Sequence, residues 1–386
     1  MSISVGTSVI PNDGEPDSLF EIENVAMEFD STERRFVSSR SKLDPLDEGQ
    51  VLVRVLCCTL CGSDLHTVSG RRKGHDHGVL GHEIVGEVIG WCGEFTPSDY
   101  HGVPLQIGQR VTWAMSVGCE HCFYCSNDLN QKCDSLFKYG HEASHGHPTG
   151  GLSEHCVLVA GTPIFPVPDE LTNEVVAPVN CATATVSAAL RLVNQTHRVK
   201  HATVLVVGAG MLGLTAAAQL NEAGAARIVV ADPNAGRAEL AQSFGATDLI
   251  VGETADERQS MLQEMTNGRG VDIAIDFAGM TTAVNACLDS VRMGGCVVLV
   301  GSVFPSDPIA LYPEQAIRRM LTIRGLHNYL PRDLDDGLRF LERNHQRFPF
   351  DTLVGKGFPL QEVEQAFEYA MEQRPVRVAV YPSSDA

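Results

Sequence analysis

The chain has 386 residues, enough for two domains each with its own core. With 20% charged and 44% hydrophobic residues it has the composition of an ordinary soluble globular enzyme, and a net charge of −19 argues against nucleic acid or an anionic membrane as partner. The first twenty residues lack a basic start and a sustained apolar core, so no signal peptide is expected and the chain is read as cytoplasmic.

Residues 1 to about 20 read as an irregular arm, dotted with Pro, Gly and Asp. From Ala26 to Val55 short β-type runs alternate with turn residues, which predicts an all-β opening. Ile84–Ile89 and Arg110–Ala114 extend it. Within this region lies CGSDLHTVSGRRKGHDHGVLGHE, from Cys61 to Glu83. It offers a thiolate at Cys61, an imidazole at His82 and a carboxylate at Glu83, with Ser63 and His66 between them. A catalytic zinc takes three protein ligands and leaves one position open. Two sit here, so a third is expected far along the chain. For either residue alone, a buried thiol or a satisfied histidine is the plainer reading.

Cys119, Cys122, Cys125 and Cys133 follow as C-x2-C-x2-C-x7-C. Four thiols this close in sequence can close a tetrahedron round one ion, which makes a structural zinc site; an iron–sulfur cluster is the competing thiolate reading. The other six of the twelve cysteines (Cys57, Cys58, Cys92, Cys156, Cys287, Cys296) fall mostly in strand-like or apolar surroundings and are expected to be core thiols. The Gly/His-rich stretch holding His141, His145 and His147 is expected to be a solvated loop rather than a third metal site. Pro178–Asn194 reads as a helix, and Cys181 near its start can be a thiolate helped by the helix's positive end. It is the candidate third ligand.

Ala202–Asn221 is twenty residues without a charge, the length of a membrane span. Its pattern excludes that use: a β-branched strand, Ala202–Val207, runs into Gly208-Ala-Gly210-Met211-Leu212-Gly213 and a helix, and the next strand ends in Asp232. This is the dinucleotide-binding context. Gly208 makes the turn, Gly210 admits the pyrophosphate, and Gly213 lets helix and strand pack closely. Asp232 can accept both ribose hydroxyls and repel a 2′-phosphate, so NAD is favoured over NADP, with Arg237 as the residue that can cover the ribose or a phosphate. Further strands at 247–251, 271–276, 296–300 and 321–325 complete six parallel strands, an α/β doubly wound sheet. Two helical stretches, Asp333–Arg343 and Leu360–Glu372, and a final VRVAVYP are expected to return to the first domain.

Taken together, Cys61-Gly-Ser-Asp64, Gly81-His82-Glu83, the four-cysteine stretch, Cys181 and the glycine loop resemble the zinc-dependent medium-chain dehydrogenase/reductase (alcohol dehydrogenase) family over residues 25 to 382. The resemblance implies a GroES-like, β-rich catalytic domain (1–190 with 331–386, structural zinc lobe about 115–135) and a Rossmann NAD-binding domain (191–330). The active site would lie in the cleft between them, in a homodimer or homotetramer joined through the cofactor domains. It implies two Zn2+ per subunit, with Cys61, His82 and Cys181 as catalytic zinc ligands and Glu83 able to approach or replace one. Asp64 would be the carboxylate orienting His82. Ser63 and His66 would relay the proton, by way of the cofactor ribose. Thr185, Val300 and Gly301 would border the nicotinamide.

The implied reaction passes a hydride between an alcohol, or its aldehyde or ketone, and NAD. Arg71, Arg72 and Lys73 form a basic triplet in an acidic chain, either a solvated turn or a site for an anionic substrate group. CGSDLHTVSGRRK, KYGHE, NCATAT and GLHNY resemble a subgroup linked to phosphonate catabolism, which implies a hydroxyalkyl phosphonate. A polyol or amino-alcohol dehydrogenase is the near alternative, and a non-catalytic NAD- or zinc-binding sensor the far one.

Overall fold

Alternating apolar residues in VLVRVLCCT and EIVGEVIGW make strands with one face to pack, and each finds its partners in a β-rich unit. The computed structural model describes residues 22–72, 77–94, 96–141, 147–252, 254–309 and 311–382. Lys73 and His145 lie outside the described residues.

Among the described residues the first compact unit spans 22–118, 135–167 and 354–382. Its strands are β1 (Glu23–Asp30), β2 (Arg35–Lys42), β3 (Val51–Thr59), β4 (Gly78–Val79), β5 (Glu83–Trp91), β6 (Arg110–Trp113), β7 (Ser116–Val117), β8 (Phe137–Lys138), β9 (His155–Leu158) and β10 (Ile164–Pro166). The chain's last two strands, β17 (Val354–Pro359) and β18 (Arg377–Tyr381), return to it. The main sheet runs β10-β6-β5-β3-β18-β17 with β9 also on β3, and β2-β1-β4 forms a smaller one. Val53, Val55, Ile84, Val88, Val111 and Trp113 are completely buried in one core with Val25, Met27 and Phe29 of the smaller sheet, so truncating Trp113 would cost about 3–5 kcal/mol. Leu52 packs apart from it, with Leu43, Leu46 and Val157. Helix α1 (Gly62–Val68) follows β3 directly. Near the C-terminus Val363, Ala366, Phe367 and Ala370, at helical spacing, cover the same core.

The second unit comprises residues 119–134 and 168–353. It holds α2 (Asn173–Val176), α3 (Ala182–Asn194), β11 (Thr203–Val207), α4 (Met211–Glu222), β12 (Arg227–Asp232), α5 (Ala235–Ser243), β13 (Asp248–Val251), α6 (Ala255–Met265), β14 (Val271–Asp276), α7 (Thr281–Ser290), β15 (Val291–Leu299), α8 (Pro313–Arg318), β16 (Thr322–Gly325) and α9 (Pro331–Asn344). The remaining helix, α10 (Val363–Gln373), is the one on the first unit's core. All six strands are parallel, in the order β13-β12-β11-β14-β15-β16. The reversal of order between β11 and β14 is where such sheets bind ligands, at the strands' carboxyl ends. The apolar stretch 202–221 is thus β11, the glycine loop and α4. Among the described residues no single helix is long and apolar enough to cross a membrane.

Two expectations meet a different arrangement. The helix expected over 178–194 is broken: Ala177–Asn180 is a 3-10 turn and α3 begins only at Ala182, with Cys181 as its N-cap. Pro178 supplies no N–H, and Cys181 leaves helical geometry at φ −131° and ψ −74°. The compact units also cut the chain elsewhere than 190/191 and 330/331. Arg191 on α3 holds Asp333 on α9, Ser187 meets Gln219 on α4, and Arg343 pairs with Glu222, so α3 and α9 pack with the parallel sheet.

Candidate active site and metal centres

Strand β3 ends in Thr59-Leu60, and Cys61 caps α1 with extended backbone. The Asp64 carboxylate reaches back through Oδ2 to the N–H of Cys61, 2.9 Å away. Its other oxygen, Oδ1, lies 3.3 Å from His82 Nδ1, and both side chains are 1% exposed. One acid therefore fixes the backbone at Cys61 and faces the imidazole of His82, the arrangement expected of a partner that orients a metal-binding histidine. Ser63 Oγ stands 3.4 Å from His82 Nε2, on the opposite side of the ring from Asp64. Burial alone would depress the His82 imidazole; Asp64 and Cys61 outweigh it and push it up to about 10.

Donor atoms of Cys61, His82 and Glu83 lie within 4.8 Å of one another. Neither Asp64 Oδ1 nor His82 Nδ1 has a hydrogen-bond partner of good geometry, although both are buried. Two soft or borderline donors, an acid behind one of them and an anion-rich interior fit a divalent ion such as zinc. Glu83 is completely buried, and burial pushes its carboxyl up to about 7 although Arg377 works against this. Its oxygens are already engaged: Thr59 donates at 2.6 Å, and Arg377 donates to both at 2.8 and 2.9 Å. Arg377 Nη2 also lies 3.9 Å from Cys61 Sγ.

Arg377 and Thr59 are the functional neighbours that sequence reading missed. An arginine inside the apolar run VRVAV was the available signal, because a buried charge requires a partner. The partner is 294 residues away, so no spacing pointed to it.

His66, three residues from Ser63 on α1, is half-buried, and burial and the charge of Arg71 lower its imidazole. Residues three apart share a helix face, so Ser63 and His66 lie on the same side of α1. The His66 carbonyl accepts the backbone N–H of both Arg71 and Arg72, at 2.9 and 3.1 Å. His141 corrects the expectation of a solvated loop. Its ring packs on that of His82, centroids 4.7 Å apart, and burial holds its imidazole well below the ordinary value, with His82 and Arg72 adding to the effect. Gly140 permits this approach: at φ 67°, a Cβ there would lie 2.3 Å from the Gly81 carbonyl oxygen. His147 is half-buried.

In the second unit, Cys119, Cys122, Cys125 and Cys133 gather with their sulfurs within 4.8 Å of one another. Cys122 and Cys133 are 3.9 Å apart, close to the edge of about 3.8 Å that a tetrahedron with 2.3 Å Zn–S bonds requires. That spacing suits one ion and leaves no room for the bridging sulfides of a multi-iron cluster. Backbone N–H groups of Cys125 and Asp134 pull Cys122 down to about 6, while burial and the neighbouring sulfur push Cys125 up to about 12. Four sulfurs at this distance fit one bound cation. Cys181, half-exposed at the head of α3, belongs to this unit, and its carbonyl accepts the N–H of Thr185 at 3.0 Å. Of the six cysteines expected in the core, all but Cys92 are buried.

The glycine loop has the expected construction. Gly208 turns at φ 101°, and a Cβ on Gly213 would lie 1.7 Å from the Gly208 carbonyl oxygen. At Gly210 a Cβ would meet nothing within 4 Å. Met211 and Leu212 begin α4, whose free N–H groups and partial positive charge suit a phosphate. Asp232 ends β12, where Oδ2 accepts the N–H of Ala209 at 2.7 Å and Oδ1 that of Asn234 at 2.8 Å. Arg237 sits in the first turn of α5. Just past β15, Val300 and Gly301 donate to the Asp276 carbonyl at 3.0 and 2.9 Å, which holds them at the sheet's carboxyl edge.

Comparison with known proteins agrees with both halves. Residues 47–169 match the alcohol dehydrogenase GroES-like domain and residues 212–343 the zinc-binding dehydrogenase family. The chain is 29% identical to 5-exo-hydroxycamphor dehydrogenase of Pseudomonas putida, over 83% of this chain and 88% of that protein. It is 29% identical to D-arabitol-phosphate dehydrogenase of Enterococcus avium, over 86% of this chain and 90% of that one. Among solved structures it resembles an alcohol dehydrogenase of Thermotoga maritima with a TM-score of 0.88 at 25% identity, covering 94% of this chain and all of that one.

Proposed function

This chain belongs to the zinc-dependent medium-chain dehydrogenase/reductase family, and from that membership we propose that it is an NAD-dependent alcohol dehydrogenase carrying two zinc ions per subunit. The observation that carries the reading is the buried trio of Cys61, His82 and Asp64, with Ser63 beside the free face of the imidazole. In this proposal Cys181 is the third protein ligand of the catalytic zinc, Glu83 the residue beside it, and the four cysteines 119, 122, 125 and 133 hold the structural ion. The GroES-like unit with the returning C-terminal segment serves catalysis, and the parallel sheet serves NAD. Metal analysis of the purified protein is expected to find two zinc ions per chain; one or none would sink the reading.

A zinc held by Cys61, His82 and Cys181 would supply Lewis acidity toward an alcohol hydroxyl, and NAD held at the glycine loop would supply the hydride acceptor. The protein's part is placement and proton handling. Asp64, 3.3 Å from Nδ1, would favour the His82 orientation that turns Nε2 to the metal. Ser63 Oγ would take the proton leaving the substrate hydroxyl as it gives its own onward, by way of the cofactor ribose, to His66, whose lowered imidazole releases it to solvent. A sensor protein has no use for such a relay, and a chain that binds zinc and NAD yet turns over no alcohol would favour that alternative.

For the substrate we propose an alcohol bearing an anionic group, such as a phosphate, phosphonate or carboxylate. Arg72 supports this, because its charge is felt at His141, and His141 lies against His82. Arg71 is exposed beside it. The relative that acts on D-arabitol phosphate has a substrate of this class, and it is also a polyol. The test is a panel of anionic, polyol and simple alcohols with NAD and with NADP. Replacing Arg71 and Arg72 by alanine is expected to raise KM for the anionic alcohol at least tenfold more than for a neutral one, the equivalent of about 1.4 kcal/mol. Equal effects on both would leave the arginines as a solvated turn.

We further propose a homodimer joined along β16. This strand is the edge of the parallel sheet, and around it Met293, Ile317, Met320 and Ile323 are exposed at 75%, 74%, 76% and 37%. An edge with unpaired backbone and apolar flanks is a template for a second chain. Light scattering of the wild type and of Ile323→Lys decides this: a wild-type monomer removes the proposal.

A further inference from the structure

Residues 326–333 join β16 to α9, and the chemistry above makes no use of them. On one side Lys132 Nζ lies 2.7 Å from His327 Nδ1 and Arg332 Nη2 lies 3.6 Å from Asp128 Oδ1, so the segment is tied to the four-cysteine loop. On the other side Asp333, completely buried, accepts two bonds of 2.6 and 2.9 Å from Arg191 on α3 and one of 2.8 Å from the N–H of Leu330. Between these anchors the backbone passes through a left-handed Asn328, at φ 60°. Tyr329, 4% exposed, donates its hydroxyl hydrogen to the carbonyl of Asn180.

That carbonyl belongs to the peptide unit leading into Cys181. Because the unit is planar, holding its C=O also sets the direction of its N–H. The N–H of Cys181 donates to Pro178 O at 3.3 Å, and the carbonyl of Cys181 accepts from Thr185 at 3.0 Å. Both peptide planes flanking Cys181 are therefore pinned. The residue sits at φ −131° and ψ −74°, whereas an N-cap ordinarily has extended backbone. With the planes fixed the Cα–Cβ bond has one direction, and the thiol keeps only its χ1 rotation.

We propose that Tyr329 is a positioning residue that aims the Cys181 thiolate at the catalytic metal, and that residues 326–333 carry the rigidity of the four-cysteine loop to it. This rests on the reading of Cys181 as a metal ligand. The experiment follows release of zinc from the full-length protein to a colorimetric chelator, in wild type, Tyr329→Phe, Lys132→Ala and Cys181→Ser, with a thermal melt of each. Partners that orient a metal ligand typically set affinity by 10–100-fold, so in Tyr329→Phe one zinc is expected to leave about tenfold faster while the other keeps its wild-type rate and the melt stays cooperative. Cobalt substitution is expected to show an altered thiolate-to-metal band in the same variant, a change that a general loss of stability would not produce. Lys132→Ala, a change at an exposed residue, is expected to speed release of the same ion by a smaller factor.

Wild-type release from folded Tyr329→Phe overturns the positioning role, and wild-type release from Lys132→Ala overturns the link to the loop. Should Tyr329→Phe fail to fold, Tyr329→Leu takes its place in the same release and cobalt measurements, and wild-type values there overturn the positioning role. The ligand reading fails separately, if Cys181→Ser keeps both zinc ions at wild-type rates.

Discussion

Replacing Arg377 by methionine keeps the apolar stem in the β18 core and removes the guanidinium. What remains is Glu83, completely buried, with one of its three close donors left: Thr59 at 2.6 Å stays, and the Arg377 contacts at 2.8 and 2.9 Å are lost. Removing one partner of a buried pair typically costs about 3–5 kcal/mol, because the other charge is stranded. For a chain of 386 residues that corresponds to a fall in Tm of about 4–6 °C. Adding Glu83→Gln removes the stranded charge, so the double variant is expected to regain more than half of the loss. The assay is denaturant or thermal unfolding of wild type, both single variants and the double variant, in zinc-saturated buffer, read as a double-mutant cycle. If Arg377→Met lowers stability by under about 1 kcal/mol, the ion pair is of the surface kind and the argument from burial is wrong. Strict additivity of the two single changes would refute it equally.

The glycine loop separates two roles in one pair of variants. A Cβ on Gly213 has no room beside the Gly208 carbonyl, whereas one on Gly210 meets nothing within the protein. Gly213→Ala is therefore expected to lose about 1–3 kcal/mol or more of stability. Gly210→Ala is expected to melt like wild type and bind NAD at least tenfold more weakly; unchanged NAD affinity in a calorimetric titration would remove Gly210 from the pyrophosphate site. Acid stability supplies another check. Burial would raise the Asp272 carboxyl, but Arg292 at 2.6 Å, the Thr203 N–H at 2.8 Å and Arg269 together hold it below its ordinary 3.8. A group depressed on folding stabilises above its unfolded pKa and loses that contribution as pH falls through the folded one. Asp272→Asn is thus expected to be less stable than wild type by about 1.5–3 kcal/mol at pH 7. The gap should close as pH drops below 3.8. A gap that stays constant down to pH 3 would show that the charge contributes nothing.

Local chemistry made much of the site legible in advance. The C-x2-C-x2-C-x7-C loop and the Gly208–Gly213 turn each draw their geometry from residues within one short stretch, so spacing alone forecasts the sulfur cluster and the tight glycine turn. Asp64 could be read because it shares one turn of α1 with Cys61. His141 could not, since what matters is the face it presents to His82, 59 positions earlier, through a backbone approach that only Gly140 permits. The α3 start was misjudged by a few residues because apolar helical spacing does not register the 3-10 turn that Pro178 imposes.

What the amino-acid order determined by itself is everything set within about one turn or one loop: strand and helix periods, the metal-type cysteine spacing, the dinucleotide turn, and the acid that ends β12. What only the folded molecule decided is which buried polar group meets which. Arg377 reaches Glu83 and Tyr329 reaches the carbonyl before Cys181, across separations of 294 and 149 residues. The physical reason is that a side chain's cost of burial is a property of its type, readable from sequence, whereas its compensating partner is set by packing, which joins residues without regard to their distance along the chain.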